Sequence, residues 1–333
     1  MTPLRAGIVG AGLMGHWHAE GIKKAGQHLA AVADVDLAAA ARLAARHRGA
    51  QAFSEVEQML AQSALEVLHL CVPLPAHYRL AELAIAAGLH LLIEKPLAPQ
   101  AGETERLFEL AAARQVILCP VHQFLFQDGT RKAAEGLGAL GRLVQIQSVF
   151  RSAGGGGQPA AQLDAVAAEI LPHPLSLMQE FLPAGLAQAR WQTARPAPGE
   201  LYAIGAAAGV GLSINISLHA RPTVCALQLC GTEGTIHLDL FHGYAVIEPG
   251  AVSRARKIVH PFDFALRSGG AAAFNLGRRV ISWQPAYPGL QRLIGAFYQA
   301  VQTGSAPPIE PADTLAVARA RDQLLSLWAF SED

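Results

Sequence analysis

Short apolar runs alternate with longer segments of helical periodicity through the first 120 residues of the chain. Continuous apolar strands that alternate with helices are typical of a parallel sheet covered by helices on both faces. The sequence therefore predicts an α/β domain with a doubly wound parallel sheet over residues 1–122. The strands are predicted at Leu4–Val9, Leu29–Asp34, Glu66–Val72, His90–Ile93 and Val116–Pro120, and the helices at Leu13–Ala25, Leu37–Arg46, Ala76–Ala87 and Ala101–Arg114.

The pattern changes after about His122, because most later apolar runs follow one another without helices between them. A long strand, Leu143–Arg151, and a helical stretch, Ala160–Phe181, come first. We expect residues 123–333 to form a C-terminal α+β domain on a large, mostly antiparallel sheet. Helices near Pro288–Gln302 and Pro311–Phe330 end the chain, and the last can pack back on the first domain. The further strands are predicted at Ala187–Thr193, Leu201–Ala207, Gly211–Leu218, Val224–Cys230, Thr235–Leu240 and Tyr244–Ile247.

Composition narrows the function classes. With 333 residues, 51% of them hydrophobic, the chain can build two domains with large cores. Its 26 basic and 26 acidic residues balance, so there is no electrostatic reason to expect a nucleic-acid or membrane partner. The cysteines show no CxxC pair and no spacing typical of a metal site, which predicts reduced thiols, no metal and a cytoplasmic location. The amino terminus, MTPLRAGIVGAG, lacks the features of a signal peptide.

Gly10, Gly12 and Gly15 form a GxGxxG pattern between the first predicted strand and the first predicted helix. The first glycine permits a tight turn, the second lets a pyrophosphate approach the backbone, and the third lets the helix pack on the strand. Free N–H groups at the start of the helix favour phosphate. Together with Leu13 and Met14, these glycines predict a dinucleotide site. The alternative is a glycine-rich turn without a ligand.

Asp34 ends the second predicted strand, 19 residues after Gly15. A carboxylate at this position can accept hydrogen bonds from both ribose hydroxyls of an adenosine and repels a 2′-phosphate, which favours NAD over NADP. No arginine follows closely, since Arg42 lies two helical turns further on. Asp34 could instead cap the next helix, but Asp36 is the better candidate for that cap.

Glu94, Lys95 and Pro96 follow the strand His90–Ile93. Ligands of such sheets bind at the carboxyl ends of the strands, so this turn directs charged groups towards the predicted site. A lysine beside a nicotinamide could hold a substrate hydroxyl and stabilise a developing alkoxide. The alternative is an ordinary surface lysine in a turn.

Several segments together resemble the Gfo/Idh/MocA family of NAD(P)-dependent oxidoreductases, typified by glucose–fructose oxidoreductase and inositol dehydrogenase. The resemblance implies a Rossmann domain followed by an α/β domain with a large, mainly antiparallel sheet. It also implies hydride transfer between nicotinamide and a hydroxyl or carbonyl of a sugar, cyclitol or related small molecule. The segments are GIVGAGLMGHWHAE at the amino terminus, CVPLPAHYRLAELAIAAGLHLLIEKPLA at 71–98, GALGRLVQIQSVFR at 138–151, GTEGTIHLDL at 231–240 and the final helices.

The same resemblance implies roles for single residues in the first domain. Lys95, in the tripeptide it forms with Glu94 and Pro96, matches the lysine that lies between the nicotinamide ribose and the reacting hydroxyl. His18 matches a histidine that is common in the first helix. The residues that match the segment bordering the cofactor are Val72, Pro73 and His77.

In the second domain, Glu169 and His173 occupy the positions of a family signature, an Asp followed four residues later by a catalytic His. On an unbroken helix the two side chains would share a face, with His173 as base and Glu169 as its orienter. Here Glu replaces Asp, and Pro172 and Pro174 flank the histidine, which predicts a kinked or restarted helix. The alternative is a histidine fixed by packing between two prolines.

The segment VHQFLFQDG at 121–129 departs from the family, because an arginine common in relatives is absent and two phenylalanines are present. Only ten residues between Arg151 and Leu240 are charged. This favours a substrate that is less polar than a free sugar, or one held through few polar contacts. The alternative is that these apolar residues only fill the core and an oligomer face.

Two further functions stay open. One is an NAD-retaining, redox-neutral enzyme that oxidises and re-reduces one substrate to permit elimination or hydrolysis, and the other is a non-catalytic dinucleotide-binding protein. In addition, Leu201–Ala220 and Thr223–Gly231 carry no charge, so both faces of the second sheet are expected to be covered. We expect a homodimer or homotetramer through this sheet, unless a loop or tail covers it.

Overall fold

The computed structural model describes residues 2–152, 157–183, 185–250, 256–281 and 286–329. The chain divides into two units, of which the first comprises Met1–His122 with Leu290–Ala318 and the second Gln123–Gly289 with Arg319–Asp333. Residues 290–318, which the sequence assigned to the second domain, therefore group with the first unit. Within the described ranges, no helix has the length and hydropathy needed to cross a membrane.

The elements up to residue 122 are β1 (Arg5–Val9), α1 (Leu13–Lys24), β2 (His28–Ala33), α2 (Leu37–Ala44), β3 (Gln51–Phe53), α3 (Val56–Gln62), β4 (Val67–Leu70), α4 (His77–Ala86), β5 (His90–Ile93), α5 (Ala101–Arg114) and β6 (Leu118–Pro120). Those that follow are α6 (Asp128–Gly136), β7 (Leu143–Arg151), α7 (Ala160–Ile170), α8 (Pro172–Phe181), β8 (Arg190–Ala194), β9 (Glu200–Ala207), β10 (Val210–Ser217), β11 (Val224–Gly231), β12 (Gly234–Asp239), β13 (Tyr244–Pro249), α9 (Arg256–Ile281), α10 (Leu290–Thr303) and α11 (Pro311–Ala329).

The strands of the first unit form one parallel sheet in the order β3-β2-β1-β4-β5-β6. The strand order reverses between β1 and β4, and ligands of doubly wound sheets bind at the carboxyl ends of the strands beside such a switch point. The predicted parallel sheet is confirmed. The sequence missed β3 and α3, because β3 has only three residues and α3 buries only Met59 completely.

Helix α10 packs against α1 in the first unit. The contact is close because Gly21 of α1 has no side chain, and a Cβ atom built there would collide with the side chain of Ile294. This approach brings the carboxyl-terminal segment of the chain against the parallel sheet, where Phe297 and Tyr298 are almost completely buried.

The second unit is built on a seven-stranded sheet in the order β13-β12-β11-β7-β10-β9-β8. Only β7 and β10 pair in parallel, so the predicted, mostly antiparallel sheet is confirmed. Burial alternates along β10. Leu212 and Ile214 are buried on one face, and Asn215, on the other face, is half-buried. On that outer face, Tyr202 and Ile204 of β9 are 38% and 60% exposed, so the described residues leave this part of the sheet open.

The predicted helical stretch over 160–181 is two helices, as the prolines indicated. Helix α7 ends at Ile170, and α8 begins at Pro172, where the fixed φ of proline and its missing N–H suit a first helical turn. Helices α6 and α9 were not predicted. Pro261 and paired glycines at 269–270 argue locally against a helix in α9, which nonetheless runs for 26 residues and packs on β13.

The turn from β1 to α1 generates the first prediction. Gly15→Ala is expected to lower the free energy of unfolding by about 1–3 kcal/mol, because its Cβ atom would collide with the Gly10 carbonyl oxygen, which belongs to rigid backbone. Chemical denaturation measures the change. Gly102→Ala in α5 is the matched control, since no atom lies within 4 Å of its added Cβ, and it should be neutral or slightly stabilising. Equal stability of the two variants would contradict this packing.

Candidate active site

The glycine turn after β1 has the shape that the sequence predicted. Gly10 has φ +99°, and a Cβ atom there would collide with the carbonyl oxygen of Cys71 after β4. At Gly12 the added Cβ would meet no atom within 4 Å, so the backbone is open to a ligand. Leu13 beside it is 66% exposed, and Met14 is half-buried. The open backbone at the start of α1 fits a dinucleotide pyrophosphate.

Asp34 follows β2 and binds the same turn. Its Oδ2 accepts a hydrogen bond from the Ala11 N–H at 2.6 Å, and its Oδ1 accepts one from the Asp36 N–H at 2.9 Å. Asp36 caps α2 by accepting from the Ala38 N–H, as predicted. The Arg42 guanidinium lies 3.5 Å from the Asp36 carboxylate. Arg42 is thus paired with the capping residue, Asp36.

His77 connects the two turns that follow β4 and β5. Its Nε2 lies 2.8 Å from the Val72 carbonyl oxygen and its Nδ1 lies 2.9 Å from the Pro96 carbonyl oxygen. Val72 is half-buried and Pro73 is exposed at this edge of the sheet. The buried imidazole therefore fixes the spacing between the segment predicted to border the cofactor and the turn that carries Lys95.

A buried hydrogen-bonded chain reaches Glu94 from α10. Tyr298 Oη lies 2.9 Å from His69 Nε2, His69 Nδ1 lies 2.8 Å from His18 Nδ1, and His18 Nε2 lies 3.2 Å from Glu94 Oε1. Burial, and the neighbouring His18, lower the pKa of His69 well below its usual value. With neutral imidazoles and a carboxylate, one direction satisfies every group: tyrosine donates to His69, His69 to His18, and His18 to Glu94.

This chain holds the carboxylate that precedes the predicted catalytic lysine. Glu94 is 8% exposed, and its second oxygen, Oε2, accepts from the Lys95 N–H at 3.3 Å. The backbone of Lys95 is therefore anchored through a buried network that begins on α10. The sequence suggested His18, but it gave no sign of His69 or Tyr298, because β4 and α10 are far apart along the chain.

His122 is a further candidate site residue, and the sequence gave no sign of it. It follows β6, is 3% exposed, and its pKa is lowered to about 4, first by burial and then by the nearby Lys95 ammonium, while Glu94 opposes the shift. Within the described part of the chain, its Nδ1 has no hydrogen-bond partner. A neutral, buried imidazole thus lies within the electrostatic reach of Lys95, and strongly shifted groups of this kind concentrate at functional sites.

In the second unit, His173 lies in the first turn of α8. Its ring centroid is 4.6 Å from that of Phe124 and 6.3 Å from that of Phe150, whose ring is nearly parallel to it. The Ser176 hydroxyl donates to the His173 carbonyl oxygen at 3.0 Å and fixes the turn. The imidazole also lines a cavity of about 940 Å³ whose walls are mainly hydrocarbon.

Glu169 is exposed in the last turn of α7, and one residue, Leu171, separates this helix from α8. The backbone of Leu171 is itself α-helical, with φ −48° and ψ −40°. Burial lowers the pKa of Arg321 below its usual value, and the carboxylates of Asp322 and Glu169 partly oppose this shift. The structure therefore gives Glu169 an electrostatic role towards Arg321, and its role as orienter stays a prediction.

The low pKa of His122 predicts acid sensitivity. The unfolded chain takes up this proton below about pH 6.5, whereas the folded chain does so only near pH 4, so stability is lost as the pH falls between these values. Between pH 7 and pH 5 the loss from this residue should be about 2 kcal/mol. Denaturant unfolding at both pH values should show a correspondingly smaller difference in His122→Gln.

His219→Gln, at an exposed position, controls for the removal of an imidazole. The control should keep the pH dependence of the wild type. If His122→Gln also keeps all of it, the assignment to His122 is wrong.

Comparison with known proteins agrees with this geometry. Residues 4–122 match the profile of an oxidoreductase family described as having an NAD-binding Rossmann fold, GFO_IDH_MocA. An inositol 2-dehydrogenase from Corynebacterium glutamicum (strain R) is 39% identical over 109 residues, which are 32% of this chain and 32% of that protein. A UDP-N-acetylglucosamine 3-dehydrogenase from Acidithiobacillus ferrooxidans is 34% identical over 137 residues, 39% of this chain and 42% of the relative. The matches thus span less than half the length of these relatives.

The fold is similar over the whole chain. A solved structure of UDP-N-acetylglucosamine 3-dehydrogenase GnnA from Acidithiobacillus ferrooxidans aligns with 100% of both chains, with a TM-score of 0.77 and 19% sequence identity. At this identity the alignment shows a common fold. Among the described residues, no group of three or more His, Cys, Asp or Glu side chains is placed to hold a metal ion. Over residues 4–122, the sequence thus resembles the NAD-binding Rossmann domain of the Gfo/Idh/MocA oxidoreductases.

Proposed function

We propose that the protein is an NAD-dependent oxidoreductase that acts on a secondary hydroxyl or carbonyl of a sugar, cyclitol or related small molecule. The observation that carries the proposal is the convergence at the carboxyl ends of four parallel strands. The open glycine turn follows β1, Asp34 follows β2, the segment at Val72 follows β4, and the turn with Lys95 follows β5. The dehydrogenase names of the relatives support the same reaction class.

The predicted site residues would have separate roles in binding and catalysis. Gly10, Gly12 and Gly15 with the start of α1 would hold the pyrophosphate, and Asp34 would bind the adenosine ribose. When bound, NAD supplies the hydride acceptor. Lys95 stabilises charge on the reacting oxygen. His173 would take the proton of the substrate hydroxyl while hydride leaves the carbon that bears this hydroxyl, so the alcohol would become a carbonyl.

Activity of single and double variants tests these roles. Lys95→Ala and His173→Ala are each expected to lower kcat by ~10²–10⁴-fold, because each removes a group that acts only on the reacting oxygen or its proton. The double variant should be much less impaired than the product of the two losses. NADH absorbance measures the oxidation against panels of sugars, nucleotide sugars, cyclitols and small carbonyls.

His173→Ala should leave NAD affinity nearly unchanged, whereas Lys95→Ala should weaken it. If Glu169 orients His173, Glu169→Gln should lower the turnover rate while the free energy of unfolding stays unchanged. Wild-type turnover in His173→Ala would remove the base assignment. Substrate conversion without net change in NADH absorbance would favour a redox-neutral reaction.

The cofactor is expected to be NAD rather than NADP. A 2′-phosphate would lie against the Asp34 carboxylate, and the nearest arginine in sequence after it, Arg42, is paired with Asp36. This repulsion should weaken NADP binding by about ten- to a hundredfold relative to NAD. Titration of both cofactors measures the ratio. Asp34→Asn removes the charge at nearly constant shape, so it should bring the affinities for NAD and NADP closer together. Equal or tighter binding of NADP to the wild type would overturn the assignment.

A homodimer or homotetramer through the second sheet belongs to the same proposal. Two neighbouring cross-strand pairs on the outer face of β9 and β10 are uncharged: Tyr202 lies beside Asn215, and Ile204 lies beside Ser213. A partner copy on this face would bury Ile204, which is 60% exposed. A cytoplasmic location is supported by the four free cysteines, all of which lie in described segments.

Sedimentation at micromolar concentration tests the oligomer. The wild type should have at least twice the mass of one chain, and Ile204→Lys should shift it towards the monomer. Ile258→Lys on α9 controls for a charge at an exposed apolar position, since Ile258 is 78% exposed. A purely monomeric wild type would contradict the proposed interface.

A further inference from the structure

The cavity beside His173 lies wholly within the second unit and is large for a simple sugar. Its volume is about 940 Å³, whereas sites for small molecules commonly measure about 300–1,000 Å³. A single hexose or cyclitol would leave most of this space to water. The cavity therefore suits a substrate with a sizeable body attached to the reacting carbon.

The walls determine the chemistry of that body. Phe124 and Phe241 contribute aromatic rings, and Leu276 and Val280 of α9 contribute aliphatic side chains. Phe241, Leu276 and Val280 are 59%, 64% and 67% exposed. Clustered apolar side chains that stay exposed on a soluble protein are typical of binding surfaces.

Polar side chains form the smaller part of the lining, and they include Gln123, His242 and Tyr287. No Asp or Glu is found among the described residues that line the cavity, so carboxylate acceptors for the vicinal hydroxyls of a polyol are absent from this wall. Transfer of those hydroxyls from water costs free energy unless each finds a new partner. The single cationic lining side chain in the described segments, Arg279, donates to the His242 carbonyl oxygen at 3.2 Å. Burial and Asp239 raise the pKa of the Cys225 thiol to about 12, so the lining thiol is a poor nucleophile.

We infer that, within the proposed range, the substrate is a related small molecule and not a free sugar or cyclitol. It carries its reacting hydroxyl or carbonyl on a large apolar, aromatic-sized body, and the walls at Phe124, Phe241, Leu276 and Val280 select this body over a polyol. The inference rests on the proposed function only for the chemical step, which takes place at the carbon attached to the apolar body. There His173 would take the proton of the alcohol, and NAD, when bound, would supply the hydride acceptor, so that the product would be a ketone. The binding preference itself rests only on the cavity.

Binding of two probes tests the preference with and without NAD. The apolar probe is 1-(2-naphthyl)ethanol, a secondary alcohol, and the polar probe is myo-inositol. Calorimetric titration should show at least tenfold tighter binding of the naphthyl alcohol. Leu276→Gln should weaken it about tenfold, because it replaces part of the hydrocarbon wall by an amide. Leu266→Gln makes the same exchange on the same helix, at a residue that is 77% exposed and lies outside the cavity. This control variant should bind the naphthyl alcohol as tightly as the wild type does.

Tighter binding of myo-inositol, no measurable binding of the naphthyl alcohol, or equal losses in the two leucine variants would each overturn the inference. NAD reduction by the same two alcohols is measured separately and reports on the proposed function. If the naphthyl alcohol binds as expected and neither alcohol nor any panel substrate reduces NAD, hydride transfer fails while the apolar preference stands. If a polyol binds more tightly and is oxidised, the preference fails while hydride transfer stands.

Discussion

The first unit depends on how closely α1 approaches the parallel sheet. Gly15 of the helix packs on the Gly10 carbonyl, and Gly10 in turn packs on the Cys71 carbonyl after β4. Any side chain at these two positions would separate the helix from the strands. The open backbone at Gly12 lies in the same turn, so one set of glycines both closes the core and exposes the N–H groups at the start of α1.

The buried polar chain follows from this proximity. With α1 against the sheet, His18 reaches both His69 on β4 and Glu94 after β5, and the glycine at position 21 lets α10 approach closely enough for Tyr298 to complete the chain. Each imidazole would be costly to bury without partners. Because the network satisfies them, the unit can hold a carboxylate beside the backbone of Lys95 without opening the sheet edge to water.

The sequence revealed those parts of the structure whose signals are local. The strand His90–Ile93 and the helix Ala101–Arg114 have the predicted bounds, since apolar periodicity and turn residues lie within each segment. Helix α9 was missed because its proline and glycines argue locally for a loop, and its packing on β13 outweighs them. The residue His122 was missed for another reason: burial and Lys95 together depress its pKa, and neither is visible in the residues around it.

The two units differ in how their similarity to known proteins is seen: in sequence for most of the first, and mainly in fold for the second. Sequence similarity to an oxidoreductase family covers residues 4–122 of the first unit, where the polar Asp34 accepts a hydrogen bond from the glycine turn. The second unit resembles such enzymes in fold, but the helix that carries His173 restarts at a proline and the wall around it is aromatic. A dinucleotide needs the same few backbone and carboxylate groups wherever it binds, whereas a substrate wall needs only to complement its own ligand. We therefore expect specificity in this protein to depend on side chains such as Phe124 and Leu276.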